Sequence, residues 1–190
     1  TKYQRPFFIY AGNAGLVHGA HVFMDAAINL WDNGYDFDLV YMGYGRGMEA
    51  AEAIRRNRGD RLHLFPPQPQ IRVAEAFRGA TGALSSLRPL DKYADARPVK
   101  TMSGLAAGCP AVYVGSGDFA SLLKKEGLGF VHEYGVAGAE EAMLAALRLH
   151  FEGDPHVSDF RIRCAEYAAT HFDDRVAARA AAEVARAAGV

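Results

Sequence analysis

The chain has 190 residues, of which 50% are hydrophobic and 23% are charged, and this composition suits one globular domain with a substantial buried core. Its formal net charge of -1 at pH 7 argues against a protein that binds nucleic acid through general electrostatic attraction. The two cysteines, Cys109 and Cys164, are far apart, which excludes a disulfide framework or zinc-finger spacing and predicts free thiols in a reducing, cytoplasmic compartment.

Short apolar runs alternate with amphipathic segments along the whole chain. The apolar runs predict six strands, over Phe7–Ala11, Phe37–Met42, Leu62–Phe65, Gly82–Leu87, Ala111–Val114 and Gly129–Val131. The other segments predict helices, over Ala20–Trp31, Met48–Arg58, Ile71–Phe77, Val99–Ala107, Phe119–Lys125, Ala139–Phe151, Asp159–His171 and Asp174–Ala188. This alternation predicts an α/β fold, a doubly wound, Rossmann-like parallel sheet of about six strands with helices on both faces and extra C-terminal helices.

The domain organisation follows from the same pattern. Residues 1–190 are expected to form a single domain. The first strand begins soon after Thr1, which suggests a domain taken from a longer protein, with a trimmed tag as the alternative explanation. No apolar run approaches the roughly 20 residues that a membrane span needs.

The loop after the first strand contains three glycines between Gly12 and Gly19. Such a turn lets backbone N–H groups face an anion, so it predicts a phosphate or diphosphate contact, with a tight loop that binds nothing as the alternative. It is not the dinucleotide-binding GxGxxG motif, and no acidic residue ends the second strand. Asp36 and Asp38 precede or begin that strand, at the opposite edge of the sheet. A second glycine-rich turn, Gly43–Gly47, is a weaker signal that more often marks a close chain reversal.

The run from Pro98 to Pro110 predicts a helix with Lys100 in its first turn. A lysine beside the positive end of a helix is unfavourable for stability unless an anion binds there. Lys100 is therefore the strongest candidate for a phosphate contact, against the alternative of an exposed lysine. Asp95 is either a ligand contact or a turn residue that caps the helix. The histidines form no metal site, and no Gly-x-Ser-x-Gly nucleophile turn is present.

Five segments carry a family resemblance: Phe8–Gly15, Val40–Gly45, Leu64–Phe65 with the prolines that follow, Pro98–Pro110 and His171–Asp173. Together they resemble the C-terminal, donor-binding domain of a group 1 retaining glycosyltransferase with the GT-B fold, closest to transferases for O-antigen and capsular sugars. The segment Pro98–Pro110 is similar to the family block Pro-x-Lys-x-x-Glu-x-x-Ala-x-Gly-x-Pro, which is fairly specific.

The resemblance implies an enzyme of polysaccharide biosynthesis that binds a nucleotide-diphosphate sugar donor, with no separate cofactor and no metal. The residues that it implies for donor binding are Gly12, Asn13, Gly15, His18, Lys100 and Ser103, and Asp95 would contact the donor sugar. The acceptor, a glycan or a lipid-linked glycan, would bind to an N-terminal domain outside these 190 residues, so the chain alone is expected to bind donor without turnover. A lipid-linked acceptor would be compatible with peripheral membrane association of the full protein.

The chain departs from the family pattern at four positions. Asn13 and His18 stand where the family often has arginine and lysine, Ser103 replaces the second of two paired glutamates, and Tyr44 replaces the acid of a Gly-Asp-Gly motif. An uncharged Ser103 makes weaker hydrogen bonds than a carboxylate. These departures favour, as the alternative, a diverged non-catalytic nucleotide-binding or scaffold domain. A nicotinamide-dependent oxidoreductase is a third reading, which the glycine spacing opposes.

Overall fold

The computed structural model describes residues 5–14, 19–90, 96–151 and 157–172. Six strands are present in these ranges: β1 (Phe7–Asn13), β2 (Asp38–Tyr44), β3 (Leu62–Phe65), β4 (Gly82–Ser86), β5 (Ala111–Val114) and β6 (Gly129–His132). The helices of these ranges are α1 (His21–Asp32), α2 (Arg46–Arg58), α3 (Gln70–Gly79), α4 (Val99–Ala106), α5 (Asp118–Lys125), α6 (Val136–Phe151) and α7 (Val157–His171). The predicted helix over Asp174–Ala188 lies outside the described residues.

The strands form one sheet in the order β3-β2-β1-β4-β5-β6, and every neighbouring pair is parallel. From β1 the chain builds outward to β2 and β3, and it then returns to place β4 on the other side of β1. This order confirms the α/β, doubly wound, Rossmann-like fold. The change of direction between β1 and β4 is the position at which open α/β sheets bind ligands, at the carboxyl ends of the strands.

Helices cover both faces of the sheet because successive strand side chains point to opposite faces and pack into apolar clusters on each of them. Phe8 and Tyr10 of β1 belong to the cluster that α1 and α6 complete. Phe7 and Ile9 belong to a second cluster, which includes Phe77 of α3. A third cluster joins β5 with α4, α5 and α7, and Cys164 is buried in it. Cys109 and Cys164 are both buried, and neither forms a disulfide, as the sequence predicted.

The ends of β1 and β2 lie further along the chain than the sequence predicted. Gly12 pairs with Gly43 and Asn13 with Tyr44, so both strands continue through their glycines. Gly12 has a φ of +110°, and a Cβ built on Gly43 would lie 2.0 Å from the Gly12 carbonyl oxygen. The glycines thus permit close approach of two backbones, whereas the sequence pattern assigned them to loops.

The opposite, amino edge of the sheet is held by an ion-pair network around Arg5. Its guanidinium lies 3.3 Å from a carboxylate oxygen of Asp36, 3.0 Å from Asp38 and 2.8 Å from Asp60. His63 Nε2 lies 3.2 Å from the second oxygen of Asp38, whose side chain is buried. Asp36 and Asp38 therefore lie at the edge that the sequence predicted for them. Among the described residues, no helix combines the length and apolar character needed to cross a membrane.

Candidate functional site

A cleft of about 750 Å³ opens at the carboxyl edge of the sheet, beside β1 and β2 and the start of α4. Four of the residues predicted to bind a ligand, Gly12, Asn13, Lys100 and Ser103, line this cleft together. They come from positions about ninety residues apart in the chain, and the parallel sheet brings them to one edge. Gly15, His18 and Asp95 lie outside the described residues, so their roles stay predictions.

Lys100 lies in the first turn of α4, and its ammonium is held against the end of β1. The helix begins after Pro98, which provides no side-chain cap. Lys100 Nζ donates a hydrogen bond of 2.7 Å to Tyr10 Oη, and it lies 3.5 Å from the carbonyl oxygen of Asn13. The same ammonium is 4.4 Å from the centroid of the Tyr10 ring, which is within cation–π range.

The electrostatic environment of Lys100 suits an incoming anion. Burial lowers the pKa of this lysine to about 8, because desolvation disfavours its charged form. Within the described ranges, no carboxylate forms an ion pair with it. The described residues that line the cleft include two cations, Arg97 and Lys100, and no acidic residue. An anion bound beside Lys100 would therefore supply a countercharge that the described residues do not, and the first turn of α4, which has no side-chain cap, offers backbone N–H groups nearby.

The glycine-rich turn after β2 holds the end of β1 in place. Ala14 N–H donates to the Tyr44 carbonyl at 2.8 Å, and Gly47 N–H donates to the Ala14 carbonyl at 3.1 Å. A Cβ on Gly45 would lie 2.7 Å from Asn13 Oδ1, so glycine is required there for Asn13 to keep its position. This turn therefore fixes one side of the cleft through backbone contacts, and it includes the first residues of α2.

The rest of the cleft is largely apolar. Its walls include Met42, Val73, Phe77 and Leu87, and the exposed side chain of Val99 stands at its rim. An apolar cleft with a few convergent polar groups is the usual form of a small-molecule site. The arrangement fits a ligand with an uncharged ring system at one end and an anionic group at the other.

Three residues near the site were not predicted from the sequence. Tyr10 lies in the apolar run of the first strand, where the sequence predicts a core residue, and the residues next to it in the sequence do not indicate its contact with Lys100. Arg97 and Gln68 line the cleft. Arg97 directly precedes Pro98, after which α4 begins, so the sequence does place a second cation beside this helix start. Among the residues that the structure describes, no cluster of His, Cys, Asp or Glu side chains could hold a metal ion.

The sequence matches no protein-family model and no curated protein. The fold is similar to that of WaaG, a glycosyltransferase involved in lipopolysaccharide biosynthesis, with a TM-score of 0.63 and 17% identity over 90% of this chain and 44% of that one. It is also similar to AviGT4, a glycosyltransferase involved in avilamycin A biosynthesis, with a TM-score of 0.61 and 18% identity over 85% of this chain and 45% of that one. Identity this low shows a shared fold, and the chain spans less than half the length of either glycosyltransferase.

Proposed function

We propose that this chain is the donor-binding domain of a glycosyltransferase and that its cleft binds a nucleotide-diphosphate sugar. The observation that carries the proposal is the Lys100 ammonium, which is partly buried without a described carboxylate partner at the uncapped start of α4. The shared fold with two glycosyltransferases supports the class of enzyme.

In this proposal the donor diphosphate binds between Lys100 and the end of β1 at Gly12 and Asn13. The nucleoside occupies the apolar part of the cleft, and the Ser103 hydroxyl, exposed on α4 one turn after Lys100, is free to hydrogen-bond a ribose hydroxyl. When the bond to the sugar breaks, the leaving diphosphate gains negative charge. Lys100 and the N-terminus of α4 stabilise that charge without moving, which is the electrostatic form of catalysis. We assign Gly15 and His18, which follow β1 in the sequence, to the binding of the diphosphate, and Asp95 to a contact with the donor sugar.

The acceptor in this proposal binds to a second, N-terminal domain outside the 190 residues. The similar glycosyltransferase chains are more than twice the length that this chain covers, which leaves room for such a domain. We propose a retaining transfer to a glycan or lipid-linked glycan in the cytoplasm, as part of polysaccharide biosynthesis. The chain by itself then binds donor without turnover, and it needs no separate cofactor.

The first test replaces Lys100 by alanine. Because a hydrogen bond to a charged group contributes about 1.5–3 kcal/mol, Lys100→Ala is expected to weaken nucleoside-diphosphate binding by about that amount in calorimetry. Lys124→Ala is the matched control, because Lys124 lies in the last turn of α5 and does not line the cleft. Equal affinities of the wild type and Lys100→Ala would overturn the role given to Lys100.

A specific observation keeps a second function open. Asn13 and Ser103 line the cleft without charge, so the chain could be a nucleotide-binding or scaffold domain without catalysis. A thermal-shift screen with UDP, GDP, CDP and their sugars separates a scaffold from a domain that binds a nucleotide-sugar donor. Stabilisation by one nucleotide and its sugar supports the glycosyltransferase, whereas no stabilisation by any of them supports the scaffold. Adding NAD to the same screen tests the oxidoreductase, for which no stabilisation is expected.

A further inference from the structure

Tyr10 joins the two parts of the candidate diphosphate site through its hydroxyl group. The Tyr10 hydroxyl donates a hydrogen bond of 2.9 Å to the carbonyl of Asn13, at the end of β1. With its proton committed to that carbonyl, the oxygen presents its lone pairs to Lys100 Nζ, 2.7 Å away. One neutral side chain therefore fixes both the end of β1 and the ammonium from α4.

The ring that carries this hydroxyl cannot easily move. Tyr10 is 1% exposed, and its ring stacks on that of Tyr41 with centroids 5.2 Å apart and an interplanar angle of 15°. Tyr41 is fully buried, and its own hydroxyl donates to the carbonyl of Ala20 at 2.9 Å. Phenylalanine would fill the same volume in this cluster, so packing does not account for the hydroxyl of Tyr10.

The contact also leaves Lys100 able to bind an anion. An ammonium has three N–H donors. The Tyr10 oxygen and the Asn13 carbonyl, which is 3.5 Å away, accept two of them, so one donor remains for a ligand. A carboxylate in this place would neutralise the lysine and compete with an incoming phosphate, whereas a phenol holds it without cancelling its charge.

We propose that Tyr10 is a positioning residue that holds the Lys100 ammonium at the place where a diphosphate group binds. The inference rests on the proposed function for the identity of the ligand, but the contact between Tyr10 and Lys100 can be tested without a ligand. Tyr10 acts through Lys100 and does not itself line the cleft.

The decisive experiment is a double-mutant cycle with Tyr10→Phe and Lys100→Ala, in which binding of inorganic diphosphate, UDP and GDP is measured by calorimetry. Tyr10→Phe is expected to weaken binding of these ligands about 3- to 10-fold in the wild-type background. Where Lys100 is already alanine the effect should be clearly smaller, because only the hydrogen bond from Tyr10 to the Asn13 carbonyl is then lost. Tyr113→Phe is the matched control, because Tyr113 is also a buried tyrosine of the sheet and it does not line the cleft.

A second readout requires no ligand and follows the Lys100 side chain by NMR as the pH is raised. Loss of the hydroxyl acceptor is expected to lower the titration midpoint of Lys100 by about one pH unit in Tyr10→Phe, and to leave it unchanged in Tyr113→Phe. An unchanged midpoint in Tyr10→Phe, or equal weakening of binding in both backgrounds of the cycle, would overturn the role of Tyr10. If the wild type binds none of the three ligands, the proposed function itself fails, and the midpoint then tells whether Tyr10 holds Lys100.

Discussion

Lys100 gives the clearest case in this molecule of a residue that acts against stability. Its ammonium is partly desolvated, and the residues described around it offer a phenol and a carbonyl instead of a carboxylate. Charged groups that leave water without a countercharge cost free energy, so this position destabilises the ligand-free fold. A bound diphosphate would reverse that cost. The unfavourable environment is therefore what makes the site attractive to an anion.

This cost predicts a pH dependence of stability that Lys100→Met should remove. The pKa of Lys100 is lowered to about 8 in the folded chain, from 10.5 as its ordinary value. Between pH 8 and pH 10.5 the unfolded chain therefore binds more protons at Lys100 than the folded chain does. The contribution of Lys100 to the free energy of unfolding rises with pH in this window and is constant below pH 8. The wild type should gain up to about 1.4 kcal/mol per pH unit relative to Lys100→Met in that window.

Urea unfolding of the two proteins at several pH values between 7 and 10 measures this difference directly. Other groups titrate in the same range, but they are shared by both proteins and cancel in the comparison. Stability curves that run parallel from pH 7 to 10 would show that Lys100 is not desolvated in the folded chain.

At the scale of single residues, the sequence could indicate Lys100 but not Tyr10. A lysine at a helix start conflicts with the helix dipole, and such a local conflict is visible in the sequence. Tyr10 conflicts with nothing, because an aromatic side chain suits the buried face of a strand. Its contact joins two residues that are 90 positions apart, and only the completed sheet shows it.

Among the elements, α4 connects the core to the cleft most directly. Gly104 lies against β4, where a Cβ would stand 2.7 Å from the Cβ of Ala83 and 3.5 Å from the ring of Phe77. This close approach sets the distance between helix and sheet. Lys100 is one turn earlier on the same helix, so the position of its ammonium depends on the small residues beneath α4.

We therefore expect Gly104→Ala to be destabilising, although alanine favours a helix by about 1 kcal/mol over glycine. The added methyl group overpacks the contact with Ala83, which costs about 1–3 kcal/mol, and it displaces the start of α4. The affinity for a nucleoside diphosphate should fall as well, because Lys100 lies at the displaced start of α4. The double variant Ala83→Gly/Gly104→Ala places the one methyl group on the helix instead of the strand. It should therefore recover most of the lost stability and most of the lost affinity. Urea unfolding and calorimetry on the single and double variants measure the coupling, and additive effects would contradict the close contact.

The predicted elements are accurate where glycine and proline mark real ends. Helix α4 begins after Pro98 and is closed by Gly108, which has a φ of +72° and donates to the Leu105 carbonyl at 2.8 Å. The prediction was wrong where glycine serves packing. Helix α6 begins at Val136 and not at Ala139, because Gly138 lies inside its first turn. A Cβ on Gly138 would lie 2.0 Å from the Glu133 carbonyl oxygen, so glycine is needed there for a close contact and does not end the helix.

At the scale of the whole molecule, the two edges of the sheet carry different tasks. The carboxyl edge holds the cleft, where Arg97 and Lys100 form no ion pair with any residue that the structure describes, and the amino edge holds the paired charges around Arg5. The sequence could predict this division, because a parallel sheet places all strand ends of one kind together. It could not predict the shape of the cleft, since its walls come from segments whose contacts depend on the strand order.

The division of tasks predicts that Arg5→Met changes stability and leaves nucleotide binding intact. Arg5 ties the chain before β1 to Asp38 at the start of β2 and to Asp60 just before β3, and the Asp38 carboxylate is buried. Loss of the guanidinium leaves that carboxylate with fewer partners, so the midpoint of thermal unfolding should fall.

The cleft lies at the far end of β1, roughly 20 Å away by the rise of a strand, and its residues make no contact with Arg5. The nucleotide that stabilises the wild type in the thermal-shift screen should therefore stabilise Arg5→Met by the same increment. A smaller increment would show that the amino-edge network also shapes the cleft, and the stability and binding functions of the two edges would then be coupled through β1.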